Sequence, residues 1–161
     1  MRNIFVILLT TLMILPAGCY PNITGTVIDA ETGQPIEGAV VLVQWTKTHG
    51  FGLTYHTVYK VLETETNKMG KFSITGAYSP FIDKPTLVIY KKGYIAWRND
   101  ILFPNFIKRT DYDTWKNNYE YKLDKFKEGY PKDKHQMFMG HGIMIDGLNK
   151  VPKFHKVLND E

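Results

Sequence analysis

Met137, His141 and Met144 are the residues whose types and spacing come nearest to a metal site. They lie in the run His135-Gln136-Met137-Phe138-Met139-Gly140-His141-Gly142-Ile143-Met144. Thioether and imidazole donors together suit copper, Cu(I) above all. On a helix Met137 and His141, four apart, share a face with Met144. The plainer reading is an apolar face whose flexible methionines pack on a core. No cofactor is therefore expected, with copper as the alternative. His49 and His56 flank a glycine-containing loop and read as solvated or hydrogen-bonded side chains. No histidine pair has the His-Glu-x-x-His spacing of a zinc peptidase, and there is no Gly-x-Ser-x-Gly and no phosphate loop. Asp111 and Asp113 could pair as carboxylates, but turn residues explain them more simply. No enzyme is expected.

Cys19 is the only cysteine, so no internal disulfide can form. Arg2 supplies a positive start, Ile4 to Leu15 an apolar run, and Pro16-Ala17-Gly18 small or helix-ending residues before Cys19. That is the layout of an export signal. Its apolar run is shorter than the roughly 20 residues that cross a bilayer. Leu15-Pro16-Ala17-Gly18-Cys19 resembles a bacterial lipobox, with Ala17, Gly18 and Cys19 at its last three positions and Pro16 where leucine is usual. The resemblance implies cleavage before Cys19, a diacylglycerol thioether on its sulfur and an acylated amino terminus. Several acyl chains hold a protein on a membrane where one gives only marginal binding. Tyr20 stands where aspartate signals inner-membrane retention in enteric bacteria, which points to the outer membrane.

Residues 1–18 read as the signal, and the remainder has the length of one ordinary domain. The 161-residue chain carries a formal charge of +4 and a pI near 9.0, with lysines spread along it. No block of like charge reads as a nucleic-acid patch. Aromatic residues make up 14% of the chain, which suits strands and flat binding faces better than a helix bundle.

Strands are expected over Ile23–Ile28, Ile36–Trp45, Tyr55–Thr66, Lys71–Ile74, Thr86–Tyr90, Tyr94–Arg98 and around Tyr119–Leu123. In the second, Val41, Val43 and Trp45 share one face and Val40, Leu42 and Gln44 the other. Thr46–Leu53 and Gly76–Pro85 read as loops. From Lys132 on, Met137, His141, Met144, Ile145 and Leu148 fall at helical spacing, although Gly140, Gly142 and Gly147 weaken a helix. A second short helix is expected over Pro152–Leu158. Many short strands between turn signals argue for a sandwich or barrel.

Three motifs occur in order. Gly25-Thr26-Val27-Ile28-Asp29 leads through Thr32-Gly33-Gln34-Pro35-Ile36 to Gly38-Ala39-Val40-Val41. Thr64 to Ile74 contains Gly70-Lys71-Phe72, and Leu87 to Tyr94 ends in Gly93-Tyr94. Over about residues 22–98 the chain resembles the carboxypeptidase regulatory-like domain. The resemblance implies an all-β, Greek-key, transthyretin-like (prealbumin-like) β-sandwich, and it does not imply catalysis. The expected organisation is a signal over 1–18, the sandwich over 19–125 and a helical C-terminal extension over 126–161.

The expected role is a non-enzymatic lipoprotein of the cell envelope, anchored to a membrane through Cys19. It would act as a binding or assembly module for a protein or glycan, with no nucleic-acid partner. Tyr55, Tyr59, Trp97 and Trp115 are the candidate binding surface. The alternative is a periplasmic copper-binding lipoprotein that uses segment 135–144.

Overall fold

A computed structural model of the chain describes residues 17–19, 21–112 and 117–160. The expected signal up to Pro16, together with Asp113 and Trp115, lies outside the described residues. The strands are β1 Ala17–Cys19, β2 Ile23–Asp29, β3 Val40–His49, β4 Tyr55–Glu65, β5 Lys71–Ile74, β6 Tyr78–Pro80, β7 Thr86–Tyr90, β8 Trp97–Arg98, β9 Ile101–Leu102, β10 Ile107–Lys108 and β11 Tyr119–Leu123. The helices are α1 Lys132–Gly140, α2 Ile145–Leu148 and α3 Pro152–Asn159.

Two sheets face each other. One has the order β11-β2-β5 and the other β4-β3-β7-β8. The chain is an all-β sandwich with short C-terminal helices. β3 lies beside β7, and β11 runs parallel to β2, so the neighbours that close each sheet are distant in sequence. Val27, Phe72, Ile74, Tyr121 and Leu123 from one sheet meet Val41, Val43, Trp45, Leu87 and Ile89 from the other. The outer face of the four-stranded sheet is buried too. Val40, Leu42, Val88 and Tyr90 pack there against Phe138, Met139, Val151 and Phe154 of the C-terminal segment. The alternation in β3 thus serves two cores. Gly25 has no Cβ because one would strike the Tyr121 ring; its absence lets the parallel β11 come close.

Several boundaries differ from the sequence expectation, each for a physical reason. β3 begins at Val40 rather than Ile36. Gly38 turns the chain at φ +66°, and Thr66 captures the preceding backbone by donating to Ile36 O (2.6 Å) and accepting from Ala39 N–H (2.8 Å). β3 also runs on to His49, because polar side chains on the hairpin pair with one another. The expected loop over 76–85 contains β6. Of the expected 94–98 strand only Trp97–Arg98 joins the four-stranded sheet; Tyr94 bridges to Lys125, and the Ala96 N–H donates to His135 Nε2 (2.9 Å). The single helix expected from Lys132 ends at Gly140, where Gly142 reverses the chain at φ +69°.

Charged groups fix the helices to the sheet. Arg98 is wholly buried. Its Nε and Nη2 donate to the two carboxylate oxygens of Asp100 (2.9 and 2.8 Å), and its Nη1 donates to the carbonyls of Phe138 (3.1 Å) and Met139 (2.9 Å). These carbonyls lie at the C-terminal end of α1, where the helix leaves acceptors unsatisfied. At α3 the Glu63 carboxylate accepts from the N–H groups of Lys153 (3.1 Å) and Phe154 (2.9 Å), a negative group on a helix N-terminus.

Asp29 organises the turn after β2. Its Oδ1 accepts from the N–H groups of Glu31 and Thr32, both at 2.9 Å, and its Oδ2 accepts from the Tyr94 hydroxyl at 3.0 Å. The Thr32 N–H contributes most to holding this carboxyl at about 2, well below the ordinary range. Desolvation opposes the shift, while Tyr94, Glu31 and Lys125 assist it. A depressed folded pKa stabilises the protein above the unfolded value near 4 and ceases to do so as pH falls toward 2. Asp29→Asn keeps the acceptor oxygen and removes the charge. Its melting temperature is expected to fall below wild type at pH 7, with the gap closing between about pH 4 and pH 2. A gap that stays constant with pH would assign the loss to turn geometry.

Candidate binding surfaces

β8 and β11 are edge strands of opposite sheets. They are stitched together at one end, where Ile95 N–H donates to Asp124 O (2.8 Å) and Tyr94 bridges to Lys125. Beyond the stitch lies a cavity of about 320 Å³, lined among others by Trp97, Arg109, Tyr119, Glu120, Lys122 and Asp124. The alternation of β11 explains the walls. Tyr121 and Leu123 point into the core, while Glu120 and Lys122 face outward.

Trp97 forms the floor. Its ring meets Tyr112 and Tyr121 edge-on, at centroid distances of 5.0 and 4.8 Å. The Arg109 guanidinium lies 4.6 Å from the indole centroid, a cation–π arrangement. Arg109 is held there by donating through Nε to Arg98 O (2.6 Å) and through Nη1 to both carboxylate oxygens of Asp111 (3.1 and 3.0 Å). Behind the floor the Tyr112 and Tyr121 hydroxyls share a hydrogen bond of 3.1 Å, and burial pushes the Tyr121 phenol far above its usual pKa. The cleft thus presents side chains of both charges over an aromatic base, suited to a hydroxyl-rich or peptide ligand.

A second surface sits at the tip of the β3–β4 hairpin. Phe51 and Leu53 are 106% and 93% exposed. Tyr55 and Tyr59 on β4, and Tyr78 and Phe81 of the segment that meets Tyr59 and Lys47, are exposed too. The His49 ring stacks on Tyr55 (5.1 Å, 18°) and its Nε2 lies 2.9 Å from Thr57 Oγ1. Asp83 accepts from the hydroxyls of Thr46 and Thr48, each at 2.9 Å, and His56 Nδ1 lies 3.5 Å from the same carboxylate. The Tyr59 hydroxyl donates to Tyr78 O (3.0 Å), and Lys47 Nζ stands 4.5 Å over the Tyr59 ring.

The four aromatics expected to form one binding surface are therefore separated. Tyr55 and Tyr59 belong to the exposed hairpin. Trp97 is 6% exposed and belongs to the core between the sheets, because the edge strand β8 turns it inward to cap the aromatic cluster. Trp115 lies outside the described residues. Cys19 ends β1, where it pairs with Tyr78 of β6.

No single helical face carries the proposed copper donors. Met137 is exposed on α1, His141 follows the helix end with its ring against Phe106 (5.6 Å), and Met144 is half-buried just before α2. Among the described residues no three His, Cys, Asp or Glu side chains gather as a metal site. The buried histidine of this segment is His135, the acceptor for Ala96, and sequence spacing did not single it out. Arg98 and Arg109 were missed as well; an arginine flanking a tryptophan strand was the available signal.

No family model matches the chain, and no curated protein is similar to it. Among solved structures, the crystal structure of the group B streptococcus pilus 2b backbone protein is similar at 20% sequence identity and a TM-score of 0.37. The similarity covers 67% of this chain, and the chain spans 42% of the length of that protein.

Proposed function

We propose that this chain is a lipid-anchored, non-enzymatic binding module of the bacterial envelope, a carboxypeptidase regulatory-like sandwich that holds a protein or glycan segment in the cleft between β8 and β11. The observation that carries the reading is the cleft itself: an indole floor under a guanidinium, rimmed by Glu120, Lys122 and Asp124. The motif ending in Cys19 supports the anchor. Among the described residues no helix is long and apolar enough to cross a membrane.

The test uses membrane-extracted protein. Its intact mass, beside that of Cys19→Ala, is expected to start at Cys19 with a diacylglycerol and acyl increment that the variant lacks. The same preparation is titrated with solubilised cell-wall glycan and with peptides from envelope proteins. Glu120→Lys reverses one rim charge and is expected to weaken binding about tenfold, the equivalent of about 1.4 kcal/mol. An unmodified chain would remove the anchor, and binding indifferent to Glu120→Lys would remove the cleft. Copper finds no comparable support, since its three donors stand on different stretches of chain.

A further inference from the structure

We propose that the hairpin end of the sandwich is seated in the membrane that holds the anchor, with Phe51 and Leu53 entering the lipid and Tyr55, Tyr78 and Phe81 at headgroup level. The inference rests on acylation of Cys19 as proposed above.

Tether length is the first argument. Only Tyr20, Pro21 and Asn22 separate Cys19 from Ile23, the first residue of β2. Four peptide units reach at most about 14 Å when fully extended. An acylated Cys19 therefore keeps the near end of the sandwich beside the headgroups.

Direction is the second. Four residues after Cys19, Ile23 pairs with Ile74, and Asn22 Oδ1 accepts from the Gly76 N–H (3.1 Å), two residues before Tyr78. From Tyr78 the chain runs to Ile82, which bridges to Lys47 on β3. Tyr59 of β4 donates to Tyr78 O. The end of the sandwich nearest the anchor is thus the end that carries the β3–β4 hairpin.

Chemistry is the third. Exposed apolar residues are ordinary when scattered and informative when gathered. Here Phe51 and Leu53 are fully exposed at the tip, Tyr55 is exposed where β4 begins, and Tyr78 and Phe81 are exposed further down the hairpin, where Tyr59 meets Tyr78 and Ile82 bridges to Lys47. Tyrosines favour the membrane interface. Lys47, whose Nζ stands over the exposed Tyr59 ring, adds positive charge on this end. The nearby carboxylate, Asp83, is already occupied by Thr46 and Thr48.

The experiment reads depth directly. Cys19 is the only native cysteine, and with its sulfur held in the diacylglyceryl thioether Leu53→Cys supplies the sole free thiol in the mature protein. A nitroxide is attached there, or at Lys122→Cys on β11, and the full acylated protein is reconstituted in phosphatidylethanolamine–phosphatidylglycerol vesicles. At residue 53 collisions with oxygen are expected to exceed those with an aqueous nickel chelate several-fold, and at residue 122 the order reverses. A label at 53 as open to nickel as the one at 122 overturns the inference while an acylated mass leaves the anchor standing. A label shielded from both probes indicates protein cover and overturns it too. A mass without acyl chains removes the anchor, and this inference with it.

Discussion

Arg98→Ala is expected to destabilise the protein by about 3–5 kcal/mol, because it removes two charge-assisted hydrogen bonds to buried carbonyls, each worth about 1.5–3 kcal/mol. The guanidinium is wholly buried and spends its donors on Asp100 and on the carbonyls of Phe138 and Met139. Its loss takes this donor from the Met139 carbonyl and leaves the Phe138 carbonyl only the longer bond from the His141 N–H (3.4 Å), and a buried orphan acceptor costs about 1–3 kcal/mol. The damage is directed at the junction of helices and sheet. Amide exchange in α1 should accelerate before exchange in β3, and the urea midpoint should fall. Arg98→Lys is expected to recover little, because one ammonium cannot span a carboxylate and two carbonyls in the planar fork that arginine provides. An unchanged midpoint would mean that Phe138, Met139 and Phe154 hold the helices by apolar contact alone.

Trp97→Ala is expected to cost a similar amount, about 3–5 kcal/mol, by opening a cavity under a rigid aromatic cluster. Trp97 touches Tyr112 and Tyr121 edge-on and carries Arg109 on its face. None of these neighbours can collapse into the space without giving up a hydrogen bond. The same substitution removes the floor of the cleft, so ligand affinity should fall together with the urea midpoint. Trp97→Phe keeps an aromatic floor and should retain most of both. Full affinity in a destabilised Trp97→Ala would place the ligand elsewhere.

The sandwich was legible in the sequence because its strands alternate strongly. Val41, Val43 and Trp45 face one way and Val40 and Leu42 the other, and the structure buries both sets in separate cores. Tyr119, Tyr121 and Leu123 announced β11, and the expected helix over Pro152–Leu158 forms as α3. What stayed hidden was decided by partners remote in sequence. Thr66 shortens β3 at its start from 27 residues away. His135 accepts from the Ala96 N–H across 39 residues. The cleft was hidden for the same reason. It exists because β8 and β11 are both edges, and no local pattern says which strands end a sheet. Tyr55 and Tyr59 could be read as exposed from their polar neighbours, whereas Trp97 could not be read as buried, since a two-residue strand gives no periodicity.

The parallel ladder between β2 and β11 also bears on how the chain acquires its fold. Tyr119 pairs with Gly25 and Leu123 with Asp29, so the opening strand waits for the final one. Contacts of such long sequence separation close slowly, because chain entropy is lost before the ladder repays it. The three-stranded sheet cannot be completed until Leu123 has emerged. Until then β2 is paired on one side only, with β5, and its other edge stands open, so a chain halted before Tyr119 would carry that edge as a template for pairing with a second copy.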